Sequence, residues 1–233
     1  MKKAIEINQL SLSYGDKPLL THLNLSIYPR QWLAILGRSG CGKSTLLKAI
    51  ANLDQGIEKP SGHIQVNGKI AYMAQQDGLM PWLSVRDNVQ LQHYLTGSKS
   101  ADSARRALQL LARVGLANQA DKAPYELSGG QRQRVALART LMQTADIILM
   151  DEPFSAVDAI TRLELQQLSA QLLADKTVVL ITHDPGEAIK LADNIVVMRD
   201  GQLGKPYKIA EQRPRFAANQ THVDLQQQLL GAL

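Results

Sequence analysis

The chain has 233 residues, 45% of them apolar and 4% aromatic, with one cysteine and a formal net charge of +5. That length buries a sizeable core as a single domain, one cysteine excludes an internal disulfide, and no apolar run approaches the ~18 residues of a membrane span. The positive balance reads as a solvated basic surface, because no basic run is interleaved with aromatics as nucleic-acid binding would require.

The first residues, Met1-Lys2-Lys3-Ala4-Ile5, lack the apolar block of a signal peptide, so a cytoplasmic location is expected. Residues 5–7, 10–14 and 23–27 alternate apolar with polar, the period of half-buried strands. Residues 32–36, Trp-Leu-Ala-Ile-Leu, form the short apolar run of a buried strand, and residues 46–50 suit a helix. The runs 64–66 and 70–73 flank Asn67-Gly68, a dipeptide that predicts a β-hairpin. From 84 to 142 the pattern is helical, with Ala104, Ala107, Leu108, Leu111 and Val114 at three- and four-residue steps. Further on, apolar strands at 147–150, 178–181 and 195–198 alternate with helices around 163–173 and 185–191, which argues for a parallel sheet covered on both faces. A tail over about 204–233 contains Pro206 and Pro214 and ends in a polar helical stretch around 223–230.

Between the strand at 32–36 and the following helix stand Gly37, Arg38, Ser39, Gly40, Cys41, Gly42, Lys43, Ser44 and Thr45. Gly37, Gly42, Lys43 and Ser44 satisfy Gly-x-x-x-x-Gly-Lys-Ser in the strand–loop–helix setting that the motif needs. Glycines let the backbone wrap closely around phosphate oxygens. Its N–H groups and the helix N-terminus supply positive potential. Lys43 is placed to reach the β- and γ-phosphates, and the Ser44 hydroxyl to ligate Mg²⁺. The strand at 147–150 ends in Asp151-Glu152. Two acids at the tip of a buried strand are costly without a task. Asp151 is suited to hold Mg²⁺ through water, and Glu152 to polarise an attacking water. The expected architecture is α/β: a P-loop nucleotide-binding core with a mainly parallel sheet, an N-terminal antiparallel β subdomain, and an α-helical subdomain inserted at about 76–142, all within one domain over 1–233.

Downstream, Leu127-Ser128-Gly129-Gly130-Gln131 resembles the signature motif of the ATP-binding cassette family, and the resemblance covers nearly the whole chain. Ser155-Ala156-Val157-Asp158 is similar to the family's D-loop, with Val157 where Leu is usual. His183 matches the switch histidine, Gln75 the Q-loop glutamine, and Tyr14 the aromatic that stacks on adenine. Arg30-Gln31 departs from the usual Gly-Glu turn before the cradle strand. The resemblance implies an ATP hydrolase with ATP and Mg²⁺ as ligands: Glu152, His183 and Gln75 in catalysis, and Ser44, Gln75 and Asp151 around the metal. Ser128, Gly129, Gly130, Gln131 and Asp158 would face the nucleotide of another subunit. One cradle and one signature then imply a head-to-tail homodimer with two shared ATPs.

The segment Gly78-Leu79-Met80-Pro81-Trp82 resembles the nitrate, sulfonate, taurine and aminopyrimidine importer ATPases. The short stretch before Gln75 leans toward the aminopyrimidine branch. This implies integral membrane permease subunits as partners, a solute-binding protein acting indirectly, and a peripheral location on the inner face of the cell membrane. The alternatives are a soluble cassette ATPase acting on nucleic acid or ribosomes, which usually carries two cassettes or a long coiled coil, and a small-molecule P-loop kinase, which leaves residues 127–131 without a task.

Overall fold

The computed structural model describes residues 2–53, 56–217 and 219–233. The chain opens with β1 (Ile5–Tyr14) and β2 (Lys17–Ile27) as an antiparallel pair. The two alternating runs at 5–7 and 10–14 belong to one strand. Ile5 and Ile7 are buried, then Leu10 and Leu12, so the parity shifts by one residue. Gln9 absorbs that shift in a bulge at φ 48°. Next come β3 (Trp32–Leu36), α1 (Lys43–Ile50), β4 (Glu58–Val66) and β5 (Ile70–Met73). Before β3, Arg30 takes a left-handed φ of 63°. It is held by its N–H to Thr177 Oγ1 at 2.9 Å and by Arg213 on its carbonyl at 2.9 Å.

The expected hairpin at Asn67-Gly68 does not form. β4 pairs with β1 in a three-stranded sheet of order β2-β1-β4, whereas β5 runs parallel to β6 (Ile147–Asp151) in the other sheet. Asn67 prolongs the first ladder, donating from its N–H to Ala4 O at 2.8 Å and from Nδ2 to Lys3 O at 2.9 Å. Gly68, at φ 146°, passes the chain under Asp146, whose carboxylate accepts from Lys69 N at 3.0 Å. A buried apolar partner on β6 outweighs the local turn preference.

The helical insertion holds α2 (Val85–Val89), α3 (Leu91–Leu95), α4 (Ala101–Arg113) and α5 (Gly129–Met142). Ser84, Ser100 and Ser128 cap α2, α4 and α5 through their hydroxyls. Val85, Val89, Ala107, Leu111, Val135 and Leu137 pack into one core with the underside of the sheet. The chain then runs through α6 (Ala159–Leu172), β7 (Thr177–Thr182), α7 (Pro185–Leu191), β8 (Asn194–Arg199), β9 (Gln202–Leu203), β10 (Tyr207–Lys208) and α8 (Gln220–Ala232). The second sheet has the order β10-β8-β3-β7-β6-β5, with β9 against β8. Strands β8, β3, β7, β6 and β5 are mutually parallel, so the mixed α/β class with its separate antiparallel sheet is as expected. Among the described residues, no helix is long and apolar enough to cross a membrane.

The tail folds back on α7. Leu229 of α8 is buried with Ala188 and Ile189, and Arg215, 6% exposed, donates to the carbonyls of Ile189 and Ala192 at 2.9 and 2.8 Å. The orphan carbonyls at the end of α7 are thus satisfied by a side chain.

Opposite the Gln9 bulge lies Gly62 at φ 81°, where a Cβ would stand 2.3 Å from Gln9 O. Gly62→Ala combines a left-handed backbone with a backbone clash. It is expected to lower unfolding stability by more than about 1 kcal/mol, read as a fall in the urea midpoint. An unchanged midpoint would contradict the bulge assignment.

Candidate active site

The loop after β3 wraps into α1. A Cβ on Gly37 would lie 2.6 Å from Met198 O and 2.7 Å from Cys41 Sγ, so only glycine fits there. Gly40 and Gly42 stand at φ 82° and 103°, values that favour glycine. Lys43 is 5% exposed and folds into the loop, its Nζ donating to Gly37 O at 2.7 Å and Arg38 O at 2.9 Å. Among the described residues, the N–H groups of Gly40, Gly42, Lys43 and Ser44 make no hydrogen bond. Free donors at a helix start around an ammonium group fit a polyphosphate.

Across from the loop, Asp151 ends β6 and is 5% exposed. Ser44 Oγ donates to its Oδ1 at 2.9 Å, and the Tyr72 hydroxyl donates to its Oδ2 at 3.0 Å. A hydroxyl and a carboxylate oxygen side by side are a hard-oxygen donor set that suits Mg²⁺. Among the described residues no cluster of three or more His, Cys, Asp or Glu could hold a metal. An ion at this pair would therefore need further oxygens from other donors: a side-chain amide such as that of Gln75, phosphate or water.

Glu152 follows immediately, with a left-handed φ of 45°. Its N–H is tied to Ile181 O at 3.0 Å, and its Oε2 lies 3.1 Å from His183 Nδ1. A non-glycine residue in this region costs roughly 1–3 kcal/mol and persists only where its surroundings enforce it. The carboxylate is thereby turned off the strand axis and toward the histidine. Ser155 closes the next turn on Glu152 O, and Arg162 braces the loop by donating to Phe154 O and Val157 O, each at 3.2 Å.

Ser128, Gly129, Gly130 and Gln131 lie elsewhere. Ser128 and Gln131 form a reciprocal capping box at the start of α5. A Cβ on Gly130 would stand 2.3 Å from Thr161 Cγ2, so glycine permits the close approach of α6. Asp158 caps α6, accepting from Ile160 N at 3.1 Å and Thr161 N at 3.0 Å. The Thr161 hydrogen bonds hold its carboxyl below the ordinary range. Among the described residues, no hydrogen bond joins residues 128–131 or Asp158 to the cradle. Tyr14 is 67% exposed at the end of β1. Gln75 is exposed, and among the described residues only its carbonyl is engaged, by Gln133 Nε2 at 3.3 Å.

The segment after Gln75 is anchored on α5: Arg132 reaches Asp77 at 2.9 Å and Arg139 reaches Gly78 O at 2.8 Å. Asn88, fully buried, accepts from Met80 N at 2.7 Å and donates to the carbonyls of Met80, Leu83 and Ser84. That clamp leaves Trp82 73% exposed.

A protein-family model described as ABC transporter matches residues 20–155, more than half of the chain. The chain belongs to the ABC transporter family. An ABC transporter ATP-binding protein of Haemophilus influenzae with no characterised role is 50% identical over 196 residues, covering 84% of this chain and 82% of its own. The aliphatic sulfonates import ATP-binding protein SsuB 1 of Paracoccus denitrificans is 40% identical, covering 99% of this chain and 93% of its own. Among solved structures, a dimeric ATP-binding cassette in a post-hydrolysis state with ADP and phosphate is 31% identical with a TM-score of 0.77, covering 89% of this chain and 100% of that one. A metal-chelate type ABC transporter in an inward-facing conformation is 28% identical with a TM-score of 0.79, covering 89% and 84%. The cassette is accordingly an ATP-binding, ATP-hydrolysing domain of this family.

Sequence reasoning passed over Tyr72, Asn88, Arg162 and Glu187. Glu187 sits on α7, 5% exposed, and accepts from Thr182 Oγ1 at 2.6 Å. Burial pushes its carboxyl up to about 7, against the pull of the Thr182 hydrogen bond and with a further push from Asp184; Arg162 and Lys190 offset this slightly. Thr182 also accepts from Asp184 N at 3.1 Å, so this pair braces the turn that carries His183. A folded-state pKa above the ordinary 4.5 favours folding while Glu187 is protonated, and that advantage is lost as pH rises from about 4.5 to 7. Relative to Glu187→Gln, the wild-type chain should lose up to about 3 kcal/mol of stability between pH 5 and 7.5. Denaturation midpoints of both chains across that range check it, and parallel profiles would contradict it.

Proposed function

We propose that this cassette is the ATP-hydrolysing subunit of a membrane importer for a small solute. It works as a head-to-tail pair of copies docked on permease subunits at the inner face of the cell membrane, with a solute-binding protein delivering cargo. The observation that carries the reading is a pair of adjacent contacts at the end of β6: Ser44 Oγ to Asp151 Oδ1 at 2.9 Å, and His183 Nδ1 to Glu152 Oε2 at 3.1 Å. One suits a metal, and the other a polarised water. The names of the 40–42% identical relatives favour aliphatic sulfonates as the cargo class.

The roles follow from chemistry. The N–H groups of Gly40, Gly42, Lys43 and Ser44 and the Lys43 ammonium bind the phosphate oxygens, Lys43 exchanging its contacts to the Gly37 and Arg38 carbonyls for them. Ser44, Asp151 and Gln75 would hold Mg²⁺, which when bound offsets charge on the β- and γ-oxygens. Glu152 takes a proton from the attacking water as the new O–P bond forms and the bond from the γ-phosphorus to its bridging oxygen breaks, the electron pair leaving with ADP. His183 steadies that carboxylate. Tyr14 offers an exposed ring to adenine. Ser128, Gly129, Gly130, Gln131 and Asp158 of the second copy complete the pocket, since among the described residues of one chain they make no hydrogen bond to it.

Trp82, held out by the Asn88 clamp, is an apolar anchor for a permease helix. Its loop is tied to α5, whose N-terminus carries the signature residues. Closure of the pair on ATP therefore moves the docking segment, and transport follows from the higher affinity of ATP for the closed state. Glu152→Gln should bind ATP normally yet hydrolyse it on the order of a hundredfold more slowly, measured as phosphate release at saturating ATP. A native rate would refute the role given to Glu152.

A further inference from the structure

Both oxygens of the buried Asp151 carboxylate have donors, one from α1 and one from β5. Tyr72 lies opposite Leu149 in the parallel register, two residues before Asp151, and its half-buried ring reaches across to the end of β6. A carboxylate is free to turn about its last torsion, which has a broad, roughly two-fold profile. A single donor on one oxygen leaves that rotation poorly defined. A second donor on the other oxygen, from a rigid ring on a neighbouring strand, fixes the plane of the group.

We propose that Tyr72 is a positioning residue for the metal carboxylate: its hydroxyl pins Oδ2 of Asp151 and keeps Oδ1 facing Ser44, on the side where Mg²⁺ would be held, directly or through water. The inference rests on the metal-site reading above. An ordinary phenol is protonated at neutral pH, so the hydroxyl serves as a donor to the carboxylate. Hydrogen bonds that orient a ligating group are commonly worth 10–100-fold in metal affinity. The Tyr72 side chain makes no hydrogen bond apart from this one among the described residues. Its hydroxyl therefore has no task in the fold beyond Asp151.

The test is a Mn²⁺ titration of the full chain with a non-hydrolysable ATP analogue, following free Mn²⁺ by electron paramagnetic resonance, for wild type, Tyr72→Phe and Asp151→Asn. Melting temperatures and analogue binding in EDTA are recorded beside it. Tyr72→Phe keeps the ring and its packing. It should weaken Mn²⁺ binding about tenfold or more, while analogue affinity in EDTA stays at the wild-type value. Wild-type Mn²⁺ affinity in Tyr72→Phe, with Asp151→Asn impaired, overturns the inference and leaves the metal-site reading standing. An equal loss of analogue affinity in EDTA also overturns it, because the ring would then support the whole loop. Wild-type Mn²⁺ affinity in Asp151→Asn sinks the metal-site reading itself.

Discussion

The chemistry of this molecule depends on the register of its parallel strands. Leu36 stands beside Thr182, Asp151 beside Ile181 and Met73 beside Met150, so the loops starting at 37, 74, 152 and 183 leave the sheet at one level. A slip of one residue would displace a strand end by about 3.3 Å and turn its side chains to the opposite face. Asp151 would lose Ser44, and Glu152 would lose His183. Burial on both faces prevents the slip. Ile148, Met150, Val178 and Leu180 pack against the helical side, while Ile147, Leu149, Val179 and Ile181 pack against α1 and the antiparallel sheet. Each such side chain gives about 1.5–3 kcal/mol only in its own register.

Above that edge, polar groups are set by short-range devices. The left-handed backbone at Glu152 turns one carboxylate away while its neighbour Asp151 stays in line with the strand. Arg162 and the Thr182–Glu187 pair hold the two loops on either side of Glu152 and His183. The signature residues are set apart, at the head of α5, and that helix also anchors the loop that exposes Trp82. On the proposed reading, one helix thus carries the contact to the second copy at its N-terminus and the contact to the permease along its flank.

Much of this was legible in the sequence where local pattern and packing agree. The apolar runs at 147–150 and 178–181 read as buried strands because no polar residue interrupts them. The cradle reads from Gly37, Gly42, Lys43 and Ser44 because backbone geometry demands those residue types. Asn67-Gly68 misleads because its turn preference is local, whereas the partner of β5 lies about seventy-five residues on, in β6. Two alternating runs read as separate strands because a bulge at Gln9 changes the parity. Tyr72 looked like one more strand residue, and Glu187 and Asn88 like ordinary polar positions on helices. Their roles come from partners that only the folded chain brings near: Asp151, Thr182, and the carbonyls around Met80. Such pairings leave no periodic trace.

The central claim is that one chain holds only half of a working site, with the cradle on one surface and the signature on another. Its most direct test is the ATPase rate per chain of the purified cassette over a wide range of dilution, at saturating nucleotide. The account predicts a rate per chain that rises steeply with concentration and disappears on dilution, as an encounter between two copies requires. A rate per chain that stays constant down to dilutions where only single copies exist would contradict it.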